Sequence, residues 1–363
     1  MKKILLVGCG SEIGSNLLLL SKRYNFKFDI TTVINSPIKL DNKFEKLDQA
    51  DAIISRLRLA YPLNKKDIKK LRKDQILIFG KSAKLIFSNI NDYLKVNKTK
   101  KWDAIILATS KEDLQDSKLL NKLKNISKLV FGMAESKIME SYYPATYNFN
   151  SNLLNINNIK DKKLISLGSC QTNGWLAQMQ VFLRVFSKIK EFKIHRVEVD
   201  IVHPDTPTGR LGTKSFSPRE QDARNNLRPS FSQIDSAMSK ILNKINSFHT
   251  VSLRTLNEEP GYQINRFFFS GDLSHSLIKN FEKNIKRSCD MSNGISSFDY
   301  LPLGSKAYKY RKEIAHILPM PYLKISKNCF LGNPNIHEVI TQAYVSNVFG
   351  YCYNSLKAIK QLI

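Results

Sequence analysis

Short apolar runs alternate with stretches of helical spacing through roughly the first 168 residues. Lys3–Val7 reads as a short buried strand that runs into Gly8-Cys9-Gly10-Ser11-Glu12-Ile13-Gly14. Ile13, Leu17, Leu18 and Leu20 then recur at helical spacing up to Lys22-Arg23. A second strand, Phe28–Ile34, ends at Asn35-Ser36-Pro37, and further apolar runs fall at Gln75–Phe79, Trp102–Leu107, Lys128–Phe131 and Lys163–Leu167. Helical patterns such as Asp113–Leu123 lie between them. Strands alternating with helices in this way predict βαβ units and a parallel sheet covered on both faces.

The texture changes after Gly168. An amphipathic helix of about Asn173–Lys188 leads into a β-branched strand, Ile194–Val202. The polar stretch Pro204–Gln221, rich in Pro and Gly, is too long for an idle connector and so points to function. Helix Ile234–Ile245 and strands His249–Leu256 and Ile264–Ser270 follow, and long strands with few intervening helices predict a mostly antiparallel second domain. A chain of 363 residues has the length for two such domains. The expected division is a first domain over 1–169, completed by a C-terminal helix over 347–363, and a second domain over 170–346.

Composition narrows the function classes. An apolar content of 42% excludes wholesale disorder, and 15 Gly with 12 Pro exclude a collagen-like chain. The apolar run Ile4–Val7 is too short for a membrane span or a signal peptide, so no membrane partner is expected. Five scattered cysteines without a Cys-x-x-Cys pair point to a reducing cytoplasm, with neither a metal site nor a disulfide framework. A formal charge of +26 suggests nucleic acid or an anionic surface when taken alone. The lysines, however, are spread along the chain, and the densest stretch, Asn64–Lys73, reads as a solvated helix, so no nucleic-acid partner is expected.

Two motifs carry candidate chemistry. The Gly-x-Gly-x-x-x-Gly turn after the first strand is placed to let backbone N–H groups approach a pyrophosphate at a helix N-terminus. Asn35-Ser36 stands where an NAD site usually has an acidic residue for the ribose hydroxyls, and Lys39 lies nearby, so NADP is at least as well suited as NAD. Cys170 lies where a strand ends and a helix begins, a position that favours the thiolate. His203, at the end of the β-branched strand, is its candidate base.

The segment from Ser166 to Gln178, SLGSCQTNGWLAQ, resembles the active-site segment of glyceraldehyde-3-phosphate dehydrogenases, whose usual core is Ser-Cys-Thr-Thr-Asn. Other landmarks follow in that family's order: Val202-His203 with Thr206, the run Ala223–Ser230, Arg254, and Asn347-Val348-Phe349-Gly350-Tyr351 for the family's Asn-Glu-Phe-Gly-Tyr. The resemblance implies an α/β fold, with a Rossmann-type N-terminal domain, an α+β catalytic domain and a homotetramer. It further implies an oxidoreductase that uses NADP or NAD to oxidise a small anionic, phosphorylated aldehyde through a thioester on Cys170, with His203 as base. The substrate and phosphate contacts it implies are Ser169, Gln171, Thr172, Thr206, Ser232 and Arg254. Its cofactor contacts are Gly8, Gly10, Ser11, Glu12, Ile13, Gly14, Asn35, Ser36, Thr109 and Asn347.

The chain departs from the family at informative positions. Gln171 replaces the Thr after the cysteine, and Pro229-Ser230-Phe231-Ser232-Gln233 replaces Pro-Ser-Ser-Thr-Gly. Both belong to the site for the attacking inorganic phosphate. Pro204 after His203, Glu12 for an Arg, and Asn35-Ser36 for Asn-Asp are further departures. The expectation is a paralogue of secondary or surface-carbohydrate metabolism. The alternatives are the same thioester chemistry ending in hydrolysis to a free acid, and a basic binding protein without activity on this scaffold.

Overall fold

The structure, a computed structural model, describes residues 1–34, 48–61, 63–156, 159, 161–204, 227–242, 245, 247–255, 260–297, 304–329 and 335–363. The chain divides into two compact units. The first comprises Met1–Tyr142, Asn158–Gly168 and Ser355–Ile363, and the second Tyr143–Asn157 and Ser169–Asn354.

In the first unit, β1 (Lys2–Val7) is buried on both faces from Ile4 to Val7, as a central parallel strand must be. It is followed by α1 (Glu12–Arg23), β2 (Phe28–Ile34), α2 (Gln49–Ala60), β3 (Ile68–Arg72), β4 (Gln75–Ile78), β5 (Lys81–Phe87) and α3 (Ile90–Val96). β6 (Trp102–Leu107), α4 (Ser117–Ile126), β7 (Ser127–Gly132), β8 (Glu140–Ser141) and β9 (Leu164–Ser166) complete it. The strands form one sheet in the order β3-β4-β5-β2-β1-β6-β7-β9-β8. From β5 to β8 all neighbours are parallel, while β3-β4-β5 are joined by antiparallel pairing. Leu5, Val33, Ile105, Leu107, Leu120 and Val130 belong to the core of this unit.

Two expectations for this unit are corrected. The lysine-rich stretch Asn64–Lys73 is not a helix: its second half is β3, the outermost strand of the sheet, and the run Gln75–Ile78 turns back on it as β4. Within β3 only Ile68 is buried, so no helical apolar stripe exists to dock a helix. Lys70 instead reaches the Asp48 and Asp51 carboxylates, at 3.3 and 2.6 Å, which form the capping box of α2. The Asp113–Leu123 helix also starts later. Asp113–Gln115 is a separate 3₁₀ turn, and the Asp116 side chain caps α4 by accepting from the Lys118 and Leu119 N–H groups.

The second unit contains α5 (Cys170–Phe186), β10 (Lys193–Pro204), β11 (Arg228–Pro229), α6 (Gln233–Ile241), β12 (Phe248–Thr255), β13 (Gly261–Ser270), α7 (His275–Lys279) and α8 (Phe281–Asp290). β14 (Ile295–Ser297), β15 (Ala315–Ile317), β16 (Lys324–Ser326) and β17 (Ile336–Val345) follow. α9 (Phe349–Leu362) begins in the second unit and passes to the first at Ser355. The sheet order is β11-β12-β10-β13-β17-β15-β14, with β16 also on β17; β10 with β12 and β14 with β15 are parallel, and the other pairs antiparallel. β13 and β17 alternate buried and half-buried residues, so one face of the sheet lies on the core. There Phe267 and Phe269 meet Phe182 of α5, with ring centroids 4.3 and 5.4 Å apart.

α5 corrects the reading of an amphipathic helix. It starts three residues earlier than the expected Asn173 and is buried nearly all round, its polar Gln171, Asn173, Gln178 and Gln180 included. These side chains hydrogen-bond inside the protein instead of facing water. α6 ends at Ile241, short of the expected Ile245. Among the described residues no helix is long and apolar enough to cross a membrane.

Candidate functional site

The glycine turn of the first unit is fixed by three glycines in different ways. Gly8 has φ +89°, and a Cβ there would lie 2.4 Å from the Ala108 carbonyl oxygen, so only glycine fits. At Gly14 a Cβ would lie 2.1 Å from the Gly8 carbonyl oxygen, which is how closely α1 packs on its own leading turn. A Cβ on Gly10 would meet only Ile34 Cγ2, at 3.6 Å. The Ser11 hydroxyl lies 2.8 and 2.7 Å from the Gly8 and Ala108 carbonyl oxygens and accepts from Gly14 N–H, capping α1 and tying the turn to β6.

Glu12 and Ile13 open α1, and the Glu12 carbonyl accepts from the Ser15 and Asn16 side chains. Thr109, just past β6, lies against Gly8, and its Oγ1 is buried without a hydrogen-bond partner. Such a hydroxyl beside a glycine turn is a donor in want of an acceptor. Asn35, Ser36 and Lys39 lie outside the described residues.

In the second unit, Cys170 is the first residue of α5, half-buried, and Ser169 is its N-cap. The Ser169 Oγ accepts from Thr172 N–H at 3.1 Å and sits 2.8 Å from the Thr172 hydroxyl, so these two groups are engaged with each other. Asn173 Nδ2 donates to the Ser169 carbonyl, and its Oδ1 accepts from Ala145 N–H. The start of α5 is thereby pinned from both sides, and a sulfur at this position sits at the positive end of the helix dipole. None of the five cysteines forms a disulfide. Cys9, Cys289 and Cys352 are buried, and burial pushes the Cys289 thiol up to about 12, where it is inert.

His203 and Arg254 are register partners on the parallel strands β10 and β12. His203 Nδ1 lies 2.8 Å from the Pro204 carbonyl oxygen, and Arg254 Nη1 lies 3.1 Å from that oxygen and 3.2 Å from Nδ1. The tautomer is assigned from this pattern: one carbonyl oxygen accepts from both Nδ1–H and Nη1–H, and Nε2 carries the lone pair. Arg254 is 2% exposed, so the carbonyl also helps to hold a buried cation. Thr206 and most of the Pro204–Gln221 stretch lie outside the described residues. Ser232 caps α6 through its Oγ, which accepts from Ile234 N–H.

Gln171 and Asn347 meet directly, Nε2 of the glutamine donating to Oδ1 of the asparagine at 2.6 Å. Both side chains are buried. A Cβ on Gly261, the first residue of β13, would lie 3.0 Å from Pro204 Cδ and 3.1 Å from both Gln171 Nε2 and Asn347 Nδ2. The residues that follow Cys170 and His203 thus converge with Asn347 on one glycine. Asn347 Nδ2 is buried without a hydrogen-bond partner. The rest of the Asn-Val-Phe-Gly-Tyr motif is packing: Phe349 and Tyr351 are buried, and a Cβ on Gly350 would lie 2.0 Å from the Glu313 carbonyl oxygen.

Gly261 and Gln263 were not singled out from the sequence. A legible signal existed, because Gln263 shares the inward parity of Phe267 and Phe269 along β13. Two cavities of the second unit are lined by neither Cys170 nor His203. One, of about 550 Å³, lies around Phe149, Arg184 and Arg287, and the other, of about 490 Å³, around His195, Ser270 and His337. Among the described residues no three His, Cys, Asp or Glu side chains group as a metal site. No model of a known protein family matches the chain, and no curated protein matches it.

Proposed function

We propose that this chain is an NAD(P)-dependent aldehyde dehydrogenase that works through a thioester on Cys170, in the manner of glyceraldehyde-3-phosphate dehydrogenases. The observation that carries the reading is the convergence of Gln171, Pro204 and Asn347 on Gly261. It gathers three segments that are far apart in the chain and that the resemblance had linked only by their order.

The first unit suits a dinucleotide. Its parallel strands run β5-β2-β1-β6-β7, a Rossmann-type order with the glycine turn after β1 and Thr109 after β6 at the switch point. Gly8, Gly10 and Ser11 would hold the diphosphate on the α1 N-terminus, with Thr109 Oγ1 as a further donor. By the resemblance, Asn347 is the residue that would meet a carboxamide. A bound nicotinamide would supply the hydride acceptor.

Cys170 Sγ adds to the aldehyde carbon, its thiol proton passes to the carbonyl oxygen, and the Cys170 backbone N–H would donate to that oxygen as it gains charge. As hydride leaves the same carbon, His203 Nε2 takes the hydroxyl proton and the carbon becomes a thioester. The Pro204 carbonyl, accepting from Nδ1–H, keeps that imidazole in the tautomer the step needs, and Arg254 donates to the same carbonyl. A small anionic aldehyde is the substrate class this basic chain suits.

A second reading concerns the group that takes the acyl unit. The Ser169 and Thr172 hydroxyls bind each other and the Gln171 amide is engaged by Asn347, so the side chains expected to hold attacking phosphate are occupied within the protein. This favours water and a free acid. The test is cofactor reduction with a panel of phosphorylated aldehydes, with and without inorganic phosphate, followed by nicotinamide absorbance. Turnover that Cys170→Ala abolishes while dinucleotide binding persists is expected, at a rate independent of phosphate. Undiminished turnover in Cys170→Ala would sink the mechanism, and a strict phosphate requirement would sink the hydrolytic reading alone.

A further inference from the structure

Behind Gln171 runs a chain of buried amides. Thr341 Oγ1 donates to Gln178 Oε1 at 2.8 Å, and Gln178 Nε2 donates to Gln263 Oε1 at 3.1 Å. Gln263 Nε2 donates to Gln171 Oε1 at 2.5 Å, and Gln171 Nε2 donates to Asn347 Oδ1. Thr341, Gln178 and Gln263 are each 0% exposed, and Gln171 and Asn347 are 4% and 5% exposed. A buried amide atom deprived of its partner is costly, so the chain holds together as a unit.

Its direction is not arbitrary. A hydroxyl at one end could equally donate or accept, and every amide could in principle be flipped together. Two backbone carbonyls forbid the flip, because a carbonyl oxygen only accepts. Gln263 Nε2 also donates to the Gln171 carbonyl at 2.9 Å, and Gln178 Nε2 lies 3.4 Å from the Gly174 carbonyl. With the Gln263 nitrogen fixed there, the atom of Gln171 that faces it must be Oε1. Gln171 Nε2 must then face Asn347, whose contacting atom must be Oδ1. The remaining atom, Nδ2, is the buried donor without a partner, on the side of Gly261.

We propose that Gln171 is a positioning residue that locks the Asn347 side chain with Nδ2 as its ligand-facing atom, so that the site reads the carbonyl oxygen of the cofactor's carboxamide and not its NH2 group. This rests on the cofactor reading above and adds what it leaves open, which half of the carboxamide is recognised and what sets that choice. A rotatable asparagine would pair with both halves. One held by Gln171 donates to an acceptor and is indifferent to what else the ligand's carbonyl carbon carries.

The test compares the dinucleotide with its deamidated analogue, in which a carboxylate offers acceptors only. Dissociation constants are measured by calorimetry on the full chain, for the wild type, Gln171→Met and Gln171→Glu, with melting temperatures to establish that each variant folds. In the wild type the two ligands are expected to bind within about threefold of each other. Gln171→Met frees Asn347 to rotate and read the NH2 group, so the amide form should be preferred by about tenfold. Gln171→Glu removes the donor but keeps the acceptor for Gln263, so Nδ2 turns to the new carboxylate and the deamidated ligand is rejected. The same ratio in all three proteins, or a wild type that rejects the deamidated form, would overturn this inference and leave the dehydrogenase reading standing. A wild type that binds neither dinucleotide would overturn both.

Discussion

Gly10→Ala and Gly14→Ala each add one methyl group to the same turn, and the structure assigns them opposite effects. At Gly14 the new carbon would lie 2.1 Å from the Gly8 carbonyl oxygen and 2.7 Å from its carbon. Both are backbone atoms, so relief requires α1 to lift off the turn it packs on. Overpacking of this kind costs about 1–3 kcal/mol and more where backbone must yield, so about 3 kcal/mol or above is expected. At Gly10 the nearest atom is a side-chain methyl at 3.6 Å, an ordinary contact, and its φ lies outside the left-handed range. Its fold should be unchanged or stabilised by about 0.4–1 kcal/mol through the unfolded chain. The two variants separate again on ligand binding. If Gly10 is where backbone approaches a diphosphate, its methyl blocks that approach, and dinucleotide affinity should fall by about tenfold or more with no loss of stability. Urea unfolding followed by circular dichroism gives the first quantity and calorimetric titration the second. Wild-type affinity in Gly10→Ala would refute the assignment of this turn to phosphate, and wild-type stability in Gly14→Ala would refute the close packing of α1.

Two further predictions concern the second unit. His316 is buried, and desolvation first, then the Arg311 charge, lower its pKa from 6.5 to about 3. The folded state stays neutral while the unfolded chain takes up a proton, so stability should fall on acidification between those values, by up to about 1.4 kcal/mol per pH unit; His316→Gln should flatten that part of the pH–stability curve, and an unaltered curve would refute the assignment. Asn265 is 0% exposed with neither amide atom hydrogen-bonded, so Asn265→Leu, of similar volume, should stabilise by about 1–3 kcal/mol in the same urea assay, and a loss of stability would show that the amide is satisfied.

Much of the first unit was legible because its strands are apolar on both faces and its turns carry glycine or proline. Phe28–Ile34 and Trp102–Leu107 coincide with β2 and β6. The reading went astray where charge outweighed periodicity. In β3 a single inward isoleucine among cations gives no period to read, and the strand exists because β4 pairs with it. β5 was not anticipated, since its two lysines and one serine dilute a short apolar run. For the candidate site, the cysteine segment and its capping residues were visible as a local pattern. The amide chain was not, because a glutamine on a helix looks solvated until the strand glutamine that satisfies it is known. Gln178 and Gln263 are 85 residues apart, and only the packing of α5 on β13 brings them together.

The outermost position of β3 has a consequence for the protein in crowded solution. An edge strand offers its backbone to any other extended chain, a second copy of this one included. Here the row that such a copy would have to match carries Lys69 and Arg72, with Lys73 just beyond and Lys70 already paired to Asp48 and Asp51, on a molecule of formal charge +26. Two such edges repel before their backbones can meet. That repulsion acts over a Debye length of about 8 Å at physiological ionic strength and only about 3 Å at 1 M salt. The cations of this one strand thus disfavour edge-to-edge pairing most in dilute buffer and least at high salt.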